Sequence, residues 1–292
     1  MSTYDKFKKF CSNILISSTD ISNISYRCKR ITKRLNIDFW SSESDILHSF
    51  YVGSYGRDTD VKVSDIDILF RLPYEVYEQY NNYTSNGQSA LLQAVRKSIT
   101  NTYPITNIGA DGQVIVVPFT DGVIFELVPA FLNKDESYTF PNSNNGGSWK
   151  ITNPKPEINE IKNANQKWNY NLKRLCRMAR AWKDKWNVLI GGLLIDTLAY
   201  NFMKDWENKN NSFTYYDWMT RDFFDYLKNQ NKDQNYWYAP GSNQLVYRKG
   251  LFEYKALMCY NISLEACDYE KNKQDWSANQ KWREIYGTKF PN

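Results

Sequence analysis

Histidine is almost missing: His48 is the only one in 292 residues. A Ser-His-Asp triad, or any chemistry that needs a histidine base, would rest on that one side chain. It stands at the start of an apolar strand, so a structural role is expected. The five cysteines (Cys11, Cys28, Cys176, Cys259 and Cys267) are odd in number and scattered. No C-x-x-C occurs, so neither a zinc site nor a disulfide framework is indicated. Buried, reduced thiols in a cytoplasmic protein are the expectation. No apolar run is long enough to span a bilayer, and Met1 to Phe10 is Lys-rich and polar, unlike a signal peptide. No association with a membrane is expected. Internal repeats, heptad arrays and low-complexity tracts are also lacking.

What remains is ordinary globular stock, 42% hydrophobic and 24% charged. A chain of this length buries a sizeable core in one large or two modest domains. The formal charge of +5 suits anionic substrates. It is too mild and too dispersed to argue for duplex nucleic acid, so no duplex activator is expected. The 22 Tyr, 15 Phe and 10 Trp are mostly packing residues, and a few in a cleft would stack on bases.

The most informative stretch runs from Gly53 to Phe70, G-S-Y-G-R-D-T-D-V-K-V-S-D-I-D-I-L-F. Its second half reads as a strand, because it is rich in β-branched and aromatic residues and opens with polar/apolar alternation. Residues i and i+2 of a strand share a face, so Asp65 and Asp67 stand side by side, roughly 6–7 Å apart. Ile66 and Ile68 point the other way, into a core. Two carboxylates on one face need a counter-charge. A pair of divalent cations supplies it and can clamp the oxygens of a phosphoryl transfer. Oxygen ligands and retained waters suit Mg²⁺ or Mn²⁺. In the first half, Gly53 and Gly56 let the backbone approach a polyphosphate, and Ser54 adds a hydroxyl donor. Alone, a D-x-D strand is commonly a solvated edge and a G-S dipeptide a plain turn. Together they form a constellation.

That constellation resembles the signature of the polymerase-β-like nucleotidyltransferases, a G-S turn followed by D-h-D on the next strand. Its finer spelling, G-S-Y-G-R-x-T…S-D-I-D-I, is similar to the bacterial cGAS/DncV-like nucleotidyltransferases (CD-NTases). The resemblance implies an α+β fold: an N-lobe with a mixed sheet and helices, a helical C-lobe, and a central cleft between them. The expected division is residues 1–150, with an N-terminal spine helix, and residues 151–292.

Along the chain, residues 3–46 read as one or two helices, the second capped by Ser18 or Asp20. Asp45 to Val52 is a short strand, Tyr80 to Gln88 a loop, and Ser89 to Thr100 a helix. Gln113 to Pro118 and Val123 to Val128 read as a hairpin around Asp121-Gly122. Glu126 is an acid within an apolar strand, which marks an edge or a ligand. Antiparallel pairing with the Asp65–Asp67 strand would bring it beside the pair. The resembled family carries its third metal-binding carboxylate there, often as Asp. Residues 133–153 are turn-rich and read as the domain boundary.

From Pro154 the pattern is helical: Asn163 to Lys185, Gly191 to Phe202, Ser212 to Lys228 and Asn243 to Tyr269, with an aromatic loop around Trp237 to Gly241. A helix that starts at a Gly pair beside a basic helix makes an anion site. By resemblance to oligoadenylate synthase-like enzymes, Arg180 and then Lys183 would hold the donor triphosphate. The ending W-S-A-N-Q-K-W-R-E-I-Y-G-T-K-F-P matches the family's close. Gln280-Lys281-Trp282 fits an R/Q-x-W motif that sorts the donor base in some members, so Gln280 and Trp282 are nucleotide-binding candidates; Arg180-Ala181-Trp182 fits it as well.

The expected activity is condensation of ribonucleoside triphosphates into a cyclic di- or trinucleotide with release of pyrophosphate. Two Mg²⁺ or Mn²⁺ ions would be held by Asp65, Asp67 and Glu126. By resemblance the product is an antiphage signal sensed by a downstream effector, with room for a regulatory protein partner. Two alternatives stay open: transfer to another acceptor (an RNA end, a small molecule or a protein), and a nucleotide-binding regulator without catalysis.

Overall fold

Alternation and periodicity decide which parts of the chain become sheet and which become helix. A computed structural model describes residues 1–61 and 65–292. The elements run α1 (Thr3–Asn13), α2 (Ser18–Trp40), β1 (Ser49–Tyr51), α3 (Gly53–Arg57), β2 (Asp65–Arg71), α4 (Tyr74–Asn81), α5 (Gly87–Thr100) and β3 (Gly109–Asp111). Next come β4 (Val114–Pro118), β5 (Ile124–Leu132), β6 (Tyr138–Asn142), β7 (Ser148–Thr152), α6 (Pro154–Lys167), α7 (Asn171–Trp186) and α8 (Gly192–Asp205). The chain closes with α9 (Tyr216–Lys228), β8 (Tyr236–Tyr238), β9 (Leu245–Tyr247), α10 (Glu253–Lys271) and α11 (Asp275–Tyr286).

Two units form. The sheet unit comprises Ile16–Gly56 and the chain from β2 to Pro154. The helical unit comprises Met1–Leu15, the stretch that begins at Arg57, and Lys155–Asn292. The division expected at residue 150 therefore falls close to the main crossing, but α1 and the Arg57 stretch group with the C-terminal helices. Residues 3–46 hold two helices, one in each unit, where a single spine was an alternative. Ser17, rather than Ser18 or Asp20, caps α2: its hydroxyl accepts the Asp20 amide at 3.1 Å.

In the sheet unit the strand order is β1-β2-β5-β4-β3, and β6 and β7 extend from β5. One face is buried because β2 and β5 alternate. Ile66, Ile68, Phe125 and Leu127 pack with Ile24, Ile31 and Leu35 of α2 and with Leu91, Val95 and Ile99 of α5. Asp65 and Asp67 take the opposite parity and leave that core. The segment 133–153 is the β6–β7 hairpin rather than a structureless boundary. His48 has its expected structural role: it stacks on Trp40 at 4.0 Å and its Nδ1 meets Asn36 Oδ1 at 2.6 Å.

In the helical unit, residues 163–185 do not form one helix. Asn169 and Tyr170 adopt φ of 50° and 62°, and two successive left-handed residues end α6 before α7 begins. Residues 236–247 form the β8–β9 hairpin, and the helix expected from Asn243 starts at Glu253. Among the described residues no helix is long and apolar enough to cross a membrane.

Asp217 on α9 is a cost built into this unit. It is buried, and its Oδ1 has no hydrogen-bond donor among the described residues. Burial pushes its carboxyl up to about 6, the Trp218 amide opposes this, and the Glu270 charge adds to it. A folded pKa above the ordinary 3.8 means that the native state loses stability as pH climbs from about 4 through about 6. Asp217→Asn removes that titration. Its thermal midpoint should match wild type near pH 4 and exceed it at pH 7.5; a constant difference across the range would contradict this.

Candidate active site

The site starts with strand parity. Asp65 and Asp67 lie on the same face of β2, with Asp65 exposed and Asp67 half-buried. β2 pairs with β5 in parallel, and Asp67 sits directly across from Glu126. Paired residues of neighbouring strands share a face, so Glu126 joins the row of acids. The antiparallel pairing expected from the sequence is thus corrected to parallel. β4 takes the antiparallel place on the other side of β5, with Val116 across from Glu126. Glu126 is consequently an interior sheet position, not an edge.

The G-S turn is a single helical turn, α3, which follows β1 directly. Its Gly56 amide donates to Val52 O at 2.8 Å, and the Val52 amide donates to Asp67 O at 2.9 Å. β1 is thereby tied to β2, and Gly53 is drawn against the acid row. Gly53 has φ +61°, and a Cβ built there would lie 1.8 Å from Asp67 Oδ2. Glycine is required at this point on both counts. Gly53→Ala should cost about 1–2 kcal/mol through its left-handed backbone alone. The methyl group would also displace the Asp67 carboxylate, so turnover should fall at least about tenfold, since small misplacements near the chemistry are costly. Steady-state rates and thermal melts of the purified variant check this.

The chemistry of this donor set fits hard divalent cations: three carboxylates on one face of two paired strands, beside a backbone that admits no side chain. The carboxylates are aligned rather than closed. Among the described residues no three His, Cys, Asp or Glu side chains already enclose an ion.

Within the helical unit, Arg180 is not a free guanidinium. It is buried, its Nη1 and Nη2 donate to Asp196 at 2.5 and 2.9 Å, and Nη2 also donates to Gly192 O at 3.1 Å. Asp196 accepts in addition from Arg57 Nε at 2.8 Å and Thr59 Oγ1 at 2.9 Å. Burial would raise the Asp196 carboxyl, but Arg180 and Arg57 hold it down at about 2. The sequence reading missed Asp196 and Arg57. An acid within the apolar run G-L-L-I-D-T-L-A was the available signal, because a buried carboxylate needs a buried cation. Lys183, one turn along α7, is half-buried.

Gln280 is half-buried and its amide donates to Asn292 Oδ1 at 3.2 Å. Trp282 has 0% exposure and packs edge-on against Phe7, with ring centroids 5.3 Å apart. It has no face to offer a base, and its expected role in base sorting is corrected to core packing. Trp182 is equally buried and donates to Cys259 Sγ at 3.2 Å, so the other x-Trp match has the same fate.

Residues 1–165 match the family model of the Second Messenger Oligonucleotide or Dinucleotide Synthetase domain. The chain belongs to that family. A curated relative, described as a probable cyclic nucleotide synthase from Bacillus cereus, is 27% identical over 179 residues. The match takes in 58% of this chain and 52% of that protein, so the chain spans about half the length of the curated relative it matches. Solved structures share the fold at low identity. CdnC of E. coli MS115-1, solved with ATP, gives a TM-score of 0.70 at 14% identity, covering 99% of each chain. The Vibrio cholerae cyclic AMP-GMP synthase DncV gives 0.63 at 14% identity, covering 99% of this synthetase-domain chain and 87% of that one.

Proposed function

We propose that the chain is a metal-dependent nucleotidyltransferase that condenses ribonucleoside triphosphates into a cyclic di- or trinucleotide and releases pyrophosphate. The observation that carries this reading is the register of Asp67 with Glu126, beside a Gly53 whose left-handed backbone and contact with the Asp67 carboxylate favour glycine. Family membership supports it, since the model that matches is named for second-messenger synthesis.

Asp65, Asp67 and Glu126 would hold two Mg²⁺ or Mn²⁺ ions. Such ions, when bound, lower the pKa of an attacking hydroxyl and offset charge on a transferring phosphoryl group. The Gly53 backbone and the Ser54 hydroxyl would seat the phosphates, and the missing side chain at Gly53 leaves room for the Asp67 carboxylate beside them. Lys183 is proposed to contact the donor triphosphate. Arg180 is proposed as an anchor for α7, since Asp196 already occupies it. Gln280 remains a candidate nucleotide contact, and Trp282 supports its helix from within the core. A product used in antiphage signalling, read by a separate effector, completes the proposal.

Incubation with all four ribonucleoside triphosphates and Mg²⁺ or Mn²⁺, followed by phosphatase and mass spectrometry, tests it. A phosphatase-resistant cyclic species is expected. Pyrophosphate release with only phosphatase-sensitive products would point to a different acceptor. No metal-dependent pyrophosphate release would leave nucleotide binding without catalysis.

A further inference from the structure

We propose that a cavity of about 370 Å³ in the helical unit binds a small aromatic polyanion, a flat ring that carries carboxylate or phosphate groups. The cavity lies between α1, α7 and Phe213 and has the size of a small-molecule site. Lys8, Lys173, Arg174 and Arg177 line it, and Asp58 is the one carboxylate among the lining residues. Lys173 Nζ lies 3.1 Å from Asp58 Oδ2, and Arg177 pairs with Oδ1 of the same carboxylate. Among the described residues, Lys8 and Arg174 have no carboxylate partner. The lining therefore carries a net positive charge, and an anion with several charges would complement it.

The rest of the wall selects the shape. Arg174 and Phe213 both line the cavity, and the guanidinium carbon lies 4.6 Å from the ring centroid, a cation–aromatic pair against which a flat ring would pack. Cys11, Ile14 and Leu15 supply an apolar side. Asp58 is a resident competitor. It adopts φ +55° and is fixed there by Arg177, whose Nη2 also donates to Asp58 O at 2.8 Å and whose Nε donates to Asp60 O at 3.2 Å. An entering anion would compete with the Asp58 carboxylate for Lys173 and Arg177. Asp58 directly follows Arg57, the last residue of α3, so the competition would act on the chain that leaves the G-S turn.

Calorimetric titration of the full chain with benzene-1,3,5-tricarboxylate, without nucleotide and in buffer freed of divalent ions on a chelating resin, tests this. Removing divalent ions silences metal-dependent nucleotide binding, so the result stands or falls independently of the proposed activity. One saturable site is expected. Lys8→Glu should weaken it, and Lys8→Glu combined with Arg174→Glu should weaken it at least about tenfold, by removing and reversing charge at short range. Lys8 is exposed, so its single variant keeps the test valid should the double variant fold poorly. Asp58→Asn should tighten binding several-fold, since Asn tolerates the left-handed backbone and carries no competing charge. Citrate, of equal charge without a ring, should bind more weakly. No saturable binding, indifference to Lys8→Glu, or weaker binding by Asp58→Asn would overturn the site; equal affinity for citrate would overturn the aromatic ligand.

Discussion

Asp67→Asn is expected to remove pyrophosphate release almost entirely, with a fall of about 10³-fold or more in turnover. The reason is the position of this one carboxylate. It shares a face with Asp65 and stands across from Glu126, and Gly53 is pressed against it. Losing it would take a ligand from both proposed ions. Charge stabilisation worth several kcal/mol at a phosphoryl centre corresponds to a rate factor of about 10²–10⁴. Stability should move little, because Asp67 is half-buried and one like charge leaves the row. Rates measured with saturating nucleotide, together with a thermal melt, check both halves. Activity within about tenfold of wild type would exclude Asp67 as a metal ligand.

Asp196→Ala is expected to have the largest effect on stability, a loss of about 3–5 kcal/mol, because it strands the buried Arg180 guanidinium and leaves Arg57 only its longer contact with Glu157, at 3.8 Å. Asp196 has 0% exposure, and Arg57 and Arg180 are themselves buried. The carboxylate is the shared acceptor for Arg57, Arg180 and Thr59. The sign of its pH dependence follows from its depressed pKa. The stabilisation is present above the ordinary value of 3.8 and is lost as pH falls towards about 2. At neutral pH the variant should therefore melt on the order of 10 °C below wild type. Asp196→Asn should lie between, since it keeps the shape and some of the hydrogen bonds. A melt within about 1 °C of wild type for Asp196→Ala would mean that the two arginines find other partners or water.

The residues with simple periodicity were legible. The alternation in D-I-D-I-L-F places two acids on one face and two isoleucines in the core, and the structure has both. Glu126 was legible as an acid out of place in an apolar strand. The direction of its strand was not, because face-sharing is the same in parallel and antiparallel pairs. The connection from β2 to β5 carries α4, α5 and the β3–β4 pair, and a long crossover with helices is what a parallel pair needs.

In the second half of the chain the misses have a common cause. A basic face on α7 was visible, but the sequence did not reveal that its Arg180 turns inward to an acid sixteen residues away. Trp282 matched a short motif, yet a large aromatic near a chain end finds its strongest driving force in burial. The break between α6 and α7 depends on Asn169 and Tyr170 adopting left-handed backbone, and only Asn advertises that tendency. The β8–β9 hairpin did carry a signal: two short aromatic or β-branched runs around Pro240-Gly241.

Counting Mn²⁺ ions bound in the presence of a non-hydrolysable nucleoside triphosphate, by electron paramagnetic resonance, tests the acid row most directly. Two ions per chain are predicted for wild type, with at least one lost in both Asp67→Asn and Glu126→Gln. The same ion count in wild type and both variants would contradict the account.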